Sequence, residues 1–88
     1  MRRRRKKDWD LFFEELKEIL VKLEIDYRET SRIKSKGALC SVRGKRVLIV
    51  NRRLDSEDKA DLLRRETAGE DMEALYLKPE IREYLEER

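Results

Sequence analysis

The stretch ALCSVRGKRVLIVN (residues 38–51) decides the fold, because two aliphatic runs in it flank a two-residue turn. Gly44 and Lys45 predict a type II′ hairpin turn, in which glycine takes the first position. With Arg43 opposite Arg46, the predicted cross-strand pairs are Val42 with Val47, Cys40 with Ile49, and Leu39 with Val50. One face then carries Cys40, Val42, Val47 and Ile49, and the other carries Leu39, Leu48 and Val50. Since the second run is apolar on both faces, we predict that it forms the central strand of the sheet.

An amphipathic helix precedes the hairpin. Its apolar residues recur at steps of three and four, which is one face of an α-helix: Trp9, Phe12, Phe13, Leu16, Ile19, Leu20 and Leu23. We predict that the helix begins at Asp8 or Asp10, where a carboxylate can cap it, and that it ends between Lys22 and Glu24. Residues 24–33 predict a short strand followed by a loop.

Two further helices follow the hairpin. The first is predicted over roughly residues 56–68, capped by Asp55 or the serine after it, with Gly69 just past its end. Residues 70–77 predict either a helical turn or a short strand, and Pro79 opens a short final helix. This order predicts an α+β fold: a small antiparallel sheet built on a central hairpin, packed by an N-terminal helix, a middle helix and a short C-terminal helix.

Charge divides the chain into a basic tail and a mildly acidic body. Lys and Arg number 23 against 20 Asp and Glu, and six of the basic residues form the run at residues 2–7. From Asp8 onward the chain holds 17 basic and 20 acidic residues, a net charge of −3. We therefore predict a disordered tail over residues 1–7 and a single domain over residues 8–88. Abundant Lys, Arg and Glu with one Asn and no Gln favours a thermophilic source.

Several kinds of reactive site are disfavoured by the residues that the chain lacks. It contains no histidine and a single cysteine, Cys40, so a conventional zinc site and an internal disulfide cannot form. Cys40 lies among aliphatic residues, which favours a packed side chain over a nucleophile. The acidic residues from Asp55 onward suit a helix start, which favours capping over a metal site. We expect no enzyme activity, no cofactor and no bound metal.

The same survey predicts a cytoplasmic protein. The sequence has no apolar run long enough to span a membrane. Acidic residues interrupt the segment in which a signal peptide would have its apolar core. A cytoplasmic location without a membrane span is therefore expected.

Two groups of basic residues are candidates for nucleic-acid binding. In the tail they are Arg2, Arg3, Arg4, Arg5, Lys6 and Lys7, and around the hairpin they are Arg43, Lys45, Arg46, Arg52 and Arg53. Basic ribbons can follow phosphates, but the hairpin lacks aromatic residues that stack on bases. We favour the alternative interpretation, in which the hairpin charges are solvated turn residues that resist aggregation. The tail has three alternatives as well: it could bind an anionic membrane surface, it could be a solubilising extension without a partner, or it could precede the true start of the reading frame.

The aromatic residues at the start of the first helix have two interpretations. Trp9, Phe12 and Phe13 could form a contact between two copies of the chain. They could instead pack against the sheet as part of the core. We favour core packing, because these residues continue the apolar face of the helix.

Residues 37–85 contain a set of residues with structural roles. It consists of Gly37, Cys40, Val42 and Gly44, of VLIVN at 47–51 and of LKPEIREYL at 77–85. In these residues the chain resembles a group of small uncharacterised bacterial proteins. The shared residues are turn glycines, strand aliphatics and a helix-opening proline, so the resemblance implies a fold and no assigned activity.

The strand VLIVN leads through a short link to a helix that contains RETAG (65–69). In this order the chain is similar to the minimal zincin metallopeptidases, in which a hairpin ending in Asn precedes a helix with HExxH. The resemblance matches Glu66 to the general-base glutamate and puts Arg65 and Gly69 where the zinc-binding histidines belong. It therefore implies a shared scaffold without zinc chemistry.

Three functions follow as hypotheses. The first is a small non-enzymatic domain that acts through protein contacts or self-association. The second is nucleic-acid binding through the tail and the basic hairpin, which predicts an affinity that falls steeply with salt. The third is an enzyme that uses carboxylates. A deep pocket lined by acids with strongly shifted pKa values would favour this hypothesis.

Overall fold

A computed structural model describes residues 8–87 of the chain. Its elements are, in order, α1 (Trp9–Lys22), β1 (Ile25–Thr30), β2 (Gly37–Val42), β3 (Lys45–Asn51), α2 (Ser56–Glu66) and α3 (Pro79–Glu86). The predicted α+β class and the predicted order of helices and strands are confirmed. The tail predicted at residues 1–7 lies outside the described residues.

The three strands form one sheet in the order β1-β3-β2, and β3 is central, as its two apolar faces predicted. β2 pairs antiparallel with β3, whereas β1 pairs parallel with it, so the sheet is mixed rather than antiparallel throughout. The cause is the short crossing loop of residues 31–36. It passes over the end of β3 and starts β2 at the same end of the sheet, so the two edge strands run in opposite directions.

The hairpin turn lies one residue earlier than predicted. Its central residues are Arg43 and Gly44, with φ of 53° and 82°, which is the type I′ geometry that matches the twist of paired strands. The cross-strand pairs are therefore Val42 with Lys45, Cys40 with Val47, and Leu39 with Leu48. The predicted pairs were wrong by two residues, and a shift of two keeps each side chain on its predicted face.

The helical layer, formed by α1 and α2 with α3 beside them, covers one face of the sheet. Asp8 caps α1 by accepting a hydrogen bond from the N–H of Leu11 at 3.2 Å. Asp55 caps α2 in the same way, by accepting from the N–H of Asp58 at 2.9 Å. The core between the layers consists of Phe12, Phe13, Leu16, Ile19, Leu20, Ile25, Leu48, Val50, Ala60, Leu62, Leu63, Ile81 and Tyr84.

Asn51 holds the crossing loop against the end of β3. Its side-chain amide donates to the carbonyl oxygens of Ile33 at 3.2 Å and Ser35 at 3.0 Å. Its Oδ1 accepts from the backbone N–H of Arg53 at 2.9 Å, and its own N–H donates to Lys36 O at 2.8 Å. The loop joins both edge strands, so the hydrogen bonds of this one side chain connect all three strands at this end of the sheet.

Residues 67–78 connect α2 to α3 through turns. Of the two structures predicted for residues 70–77, the strand does not form. A single turn is closed by a hydrogen bond from the N–H of Leu75 to Met72 O at 3.1 Å. Arg82 donates to the carbonyl oxygen of Leu75 at 3.0 Å, which anchors this segment to α3.

Candidate nucleic-acid interface

Within residues 8–87, one face of the sheet packs against no helix. The helices contact the face that carries Leu48 and Val50, and the opposite side chains of each strand point away from them. We call this the open face, and its residues are Asp26, Arg28, Thr30, Ala38, Cys40, Val42, Lys45, Val47 and Ile49. The faces that the sequence predicted for the two hairpin strands are confirmed.

The centre of the open face is apolar and carries no aromatic ring. Val47 is 2% exposed and forms the floor of a groove of about 380 Å³, which Arg28, Val42 and Lys45 border. Cys40 is partly buried opposite Val47, as expected for a packed side chain. A surface of this composition offers aliphatic contact in the middle and charge at the edges.

Charge is divided between the two layers of the fold. Residues 25–54, which form the sheet and its loops, hold nine basic and two acidic residues, a net charge of +7. The helical segments 8–24 and 55–87 hold seven basic and 18 acidic residues, a net charge of −11. With the one further positive charge of Arg88, these two values make up the net charge of −3 counted from Asp8 onward, which therefore combines a strongly basic sheet layer with a strongly acidic helical layer.

Eight of the nine basic side chains in the sheet layer are exposed. They are Arg28, Arg32, Lys34, Lys36, Arg43, Lys45, Arg52 and Arg53. Arg28 and Lys45 lie on the open face, and Arg43 lies in the turn at its edge. Within residues 8–87, these three side chains have no carboxylate oxygen within 4.0 Å. Their charges are therefore available to a ligand.

Arg46, one of the predicted site residues, points toward the helical layer and away from the open face. Its guanidinium donates to the carbonyl oxygen of Leu23 at 2.8 Å and pairs with Glu70 at 2.6 Å. Both partners belong to the helical layer. Arg46 therefore ties the hairpin to the helices, and it is not part of the open face.

The other predicted hairpin residues divide between the two ends of β3. Arg43 and Lys45 lie at its start, and Arg52 and Arg53 follow its end, about 20 Å away for a strand of this length. Arg52 also donates to the carbonyl oxygen of Glu29 at 3.4 Å. The predicted tail residues 2–7 lie outside the part of the chain that the structure describes.

Four basic residues of this surface were not singled out from the sequence. They are Arg28 on β1 and Arg32, Lys34 and Lys36 on the crossing loop. A running count of charge would have found them, because residues 25–54 hold nine basic residues against two acidic ones. In the net charge of all residues from Asp8 onward, the acidic residues of the helices cancel this excess of basic residues.

The residues predicted for self-association belong to the hydrophobic interior. Phe12 and Phe13 are each 4% exposed, as expected if they pack in the core. Trp9 is partly exposed, and its ring packs edge-on against Phe12 at 5.6 Å and against Tyr84 at 5.9 Å between centroids. Of the described residues, the exposed large apolar ones are Leu11 and Val21 near opposite ends of α1, Val42 on β2 and Tyr76 in the connection between α2 and α3.

A polar cluster occupies the covered face of β1. The hydroxyl of Tyr27 donates to the carboxylate of Glu29 at 2.5 Å, and Lys59 pairs with the same carboxylate at 3.0 Å. The Tyr27 hydrogen bond holds the pKa of Glu29 below its usual value, with help from Lys59. Burial and then the Glu29 carboxylate raise the pKa of Tyr27. A carboxylate held ionised beside a phenol held neutral suits a structural contact better than proton transfer near pH 7.

The residues of the zincin resemblance make structural contacts. Glu66 accepts a hydrogen bond from the N–H of Leu39 at 2.9 Å, so its carboxylate covers an outward-facing donor on the edge strand β2. Arg65 is largely exposed and lies 3.5 Å from the carboxylate of Asp61. Gly69 lies in the turn after α2. Among residues 8–87, no three His, Cys, Asp or Glu side chains lie close enough together to hold a metal ion.

Comparisons with family models, with curated proteins and with solved structures found no match for the chain. In the part of the chain that the structure describes, no helix has the length and apolar composition needed to cross a membrane. The case for a function therefore rests on the geometry and the charge of the open face.

Proposed function

We propose that the open face binds nucleic acid through its phosphate backbone. The observation that carries the proposal is the concentration of eight exposed basic side chains on the sheet layer, whose open face contacts none of the helices that the structure describes. A layer with a net charge of +7 attracts polyanions at long range, while the helical layer, with −11, repels them. The charge therefore favours both binding and one orientation of the domain on its ligand.

The composition of the open face favours contacts to phosphates over contacts to bases. Unstacked bases are held by aromatic rings, and Val42, Val47 and Ile49 cannot take that role. Arginine and lysine side chains at both ends of β3 can pair with phosphates, which carry no sequence information. We therefore expect binding that depends little on base sequence and strongly on salt.

The same charges disfavour self-association through the open face. A symmetric dimer would bring Arg28, Arg43 and Lys45 of one copy against the same residues of the other, and like charges at an interface are repulsive. Protein contact through other surfaces stays a prediction. A cytoplasmic location, expected from the sequence, is compatible with nucleic acid as the ligand.

The direct test is fluorescence anisotropy of a labelled DNA duplex and a labelled single strand, with the full chain, between about 50 and 200 mM salt. The test variant combines Arg28→Gln, Arg43→Asn and Lys45→Gln. Asn before Gly44 suits the type I′ turn, so this variant is expected to keep the hairpin. The affinity is expected to fall, and the slope of log affinity against log salt is expected to drop by about 0.9 for each phosphate that the variant no longer neutralises.

The matched control removes the same charge from the helical layer, through Lys22→Gln, Arg65→Gln and Lys78→Gln. This control is expected to bind like the unchanged chain. An equal fall in affinity for both variants would show attraction by net charge alone and would overturn the assignment to the open face. Absence of binding by the unchanged chain at the lower salt concentration would reject nucleic acid as the ligand.

A further inference from the structure

A second charged surface lies on the helical layer, where the start of α1 meets α2 and α3. This acidic groove has a volume of about 470 Å³. Two of its lining residues are aromatic, Trp9 and Tyr84, and within residues 8–87 Arg64 is the one basic residue of the lining. The acidic residues that line it are Glu57, Asp58, Asp61, Glu80, Glu83 and Glu87.

The helix dipoles account for part of this acidity. Glu57 and Asp58 lie in the first turn of α2 and Glu80 in the first turn of α3, where carboxylates suit the helix dipole. Glu83 and Glu87 lie toward the other end of α3, where the dipole disfavours a carboxylate and the last turn holds no basic residue. In the described residues, neither carboxylate has a cation within 4.0 Å. These two exposed carboxylates can therefore pair with a cation from outside the described residues.

The groove already accommodates one guanidinium. Arg64 lies over the ring of Tyr84 at 5.1 Å and donates a hydrogen bond to Asp61. Burial raises the pKa of Asp61, but the hydrogen bonds and charges of Arg64 and Arg65 outweigh it and hold the pKa low. An aromatic face beside a carboxylate is a favourable site for an arginine side chain, and the groove offers the same elements at Trp9 and along α3.

We propose that the acidic groove binds the run Arg-Arg-Arg-Arg-Lys-Lys at residues 2–7 of its own chain. The run joins the fold at Asp8, and the next residue, Trp9, lines the groove. Six residues span at most about 20 Å, and α3 is about 12 Å long. The segment is therefore long enough to follow the groove along α3. A short tether also raises its local concentration to about the millimolar range.

Charge complementarity selects this occupant. The groove lining carries six carboxylates and one guanidinium, and the segment supplies six positive charges. Binding would therefore bring a strongly acidic surface close to neutrality, and the contact is expected to weaken with salt. The inference does not depend on nucleic-acid binding, because it concerns the opposite layer of the fold.

Trp9 is the single tryptophan of the chain and reports on the groove directly. The experiment measures the quenching of its fluorescence by acrylamide, a neutral quencher, in the full chain and in full-length variants. The tail variant replaces all six residues of 2–7 by Ser and changes no residue of the described fold. The groove variant combines Glu80→Gln, Glu83→Gln and Glu87→Gln. A matched control removes three exposed acids elsewhere, through Glu18→Gln, Glu24→Gln and Glu73→Gln.

Trp9 is expected to be quenched at least twofold more strongly in the tail and groove variants than in the unchanged chain and the control. High salt is expected to bring the unchanged chain to the level of the variants. Equal quenching in the unchanged chain and the tail variant would overturn the proposal. So would protection of Trp9 that rises with protein concentration, because the segment would then occupy the groove of a second copy.

Discussion

Asn51→Ala is expected to destabilise the fold by about 3 kcal/mol, because the side chain makes three hydrogen bonds at about 1 kcal/mol each. The residue is 7% exposed, so water replaces these partners poorly. In a domain of this size, that destabilisation lowers the melting temperature by about 12–24 °C. Urea unfolding followed by circular dichroism measures the change. The slope of the unfolding free energy against urea concentration is expected to stay the same, because the surface that unfolding exposes is nearly unchanged.

Two companion variants separate the hydrogen bonds from the removal of a side chain. Asn51→Asp keeps the acceptor for the N–H of Arg53, but it brings a carboxylate oxygen against the carbonyl oxygens of Ile33 and Ser35. It is expected to cost at least as much as alanine at pH 7. Stability is expected to recover as the pH falls and the carboxyl group gains a proton, at a pH above the ordinary Asp pKa of about 3.9, because burial against two carbonyl oxygens disfavours the charged form. Ser31→Ala changes an exposed residue of the same loop and is expected to stay within about 0.5 kcal/mol of the unchanged chain. A destabilisation below about 1 kcal/mol for Asn51→Ala would refute the role assigned to the amide.

Three further changes test other contacts. Gly37→Ala is expected to lower the free energy of unfolding in urea by more than about 3 kcal/mol, because φ at this residue is 137° and an added Cβ would lie 2.1 Å from Ile49 O. A loss below about 1 kcal/mol would contradict this geometry. Glu66→Ala removes the acceptor of the Leu39 N–H, so we expect a destabilisation of about 1–2 kcal/mol and more self-association in analytical ultracentrifugation, whereas unchanged stability would argue against the contact. Since the pKa of Glu29 is lowered by folding, its stabilisation is present above the unfolded-chain value of about 4.3 and is lost as pH falls through the lower folded value. The stability difference from Glu29→Gln should therefore shrink in acid, and a pH-independent difference would contradict it.

The elements could be predicted because each has a local signal. Apolar residues at steps of three and four fixed α1, a carboxylate at Asp55 marked the start of α2, and Pro79 opened α3. The apolar composition of residues 47–50 on both faces placed β3 at the centre of the sheet. These signals depend on neighbours along the chain, so they do not require knowledge of the tertiary structure.

The pairing of the strands could not be predicted from the same information. Arg43-Gly44 and Gly44-Lys45 both place glycine in a two-residue turn, and both keep the same side chains on the same face. Type I′ and type II′ turns both match the twist of paired strands, so the turn residues alone do not choose between the two registers. The parallel pairing of β1 depends on the path of residues 31–36, which Asn51 fixes through backbone carbonyls that carry no sequence signal.

The two charged surfaces differ in how far they could be predicted. The basic sheet layer is a contiguous segment, residues 25–54, so its net charge is a property of the sequence alone. The acidic groove combines the start of α1 with residues of α2 and α3 that lie about 50 and 70 positions further along the chain. A surface assembled from three distant helices becomes visible when their packing is known.

The two surfaces also differ in what the chain itself can supply to them. The acidic groove has a candidate partner in the chain, because residues 2–7 form an uninterrupted basic run beside Trp9. The basic open face has no equivalent, because no run of acidic residues in the sequence is longer than two. Apart from Asp26 on the open face and Glu29 on the covered face of β1, the acids of residues 8–87 lie in the helical layer, on the opposite side of the sheet. The anionic ligand that we propose for Arg28, Arg43 and Lys45 would therefore come from another molecule. A repeating anion such as a phosphate backbone matches a basic surface that extends over the whole length of β3.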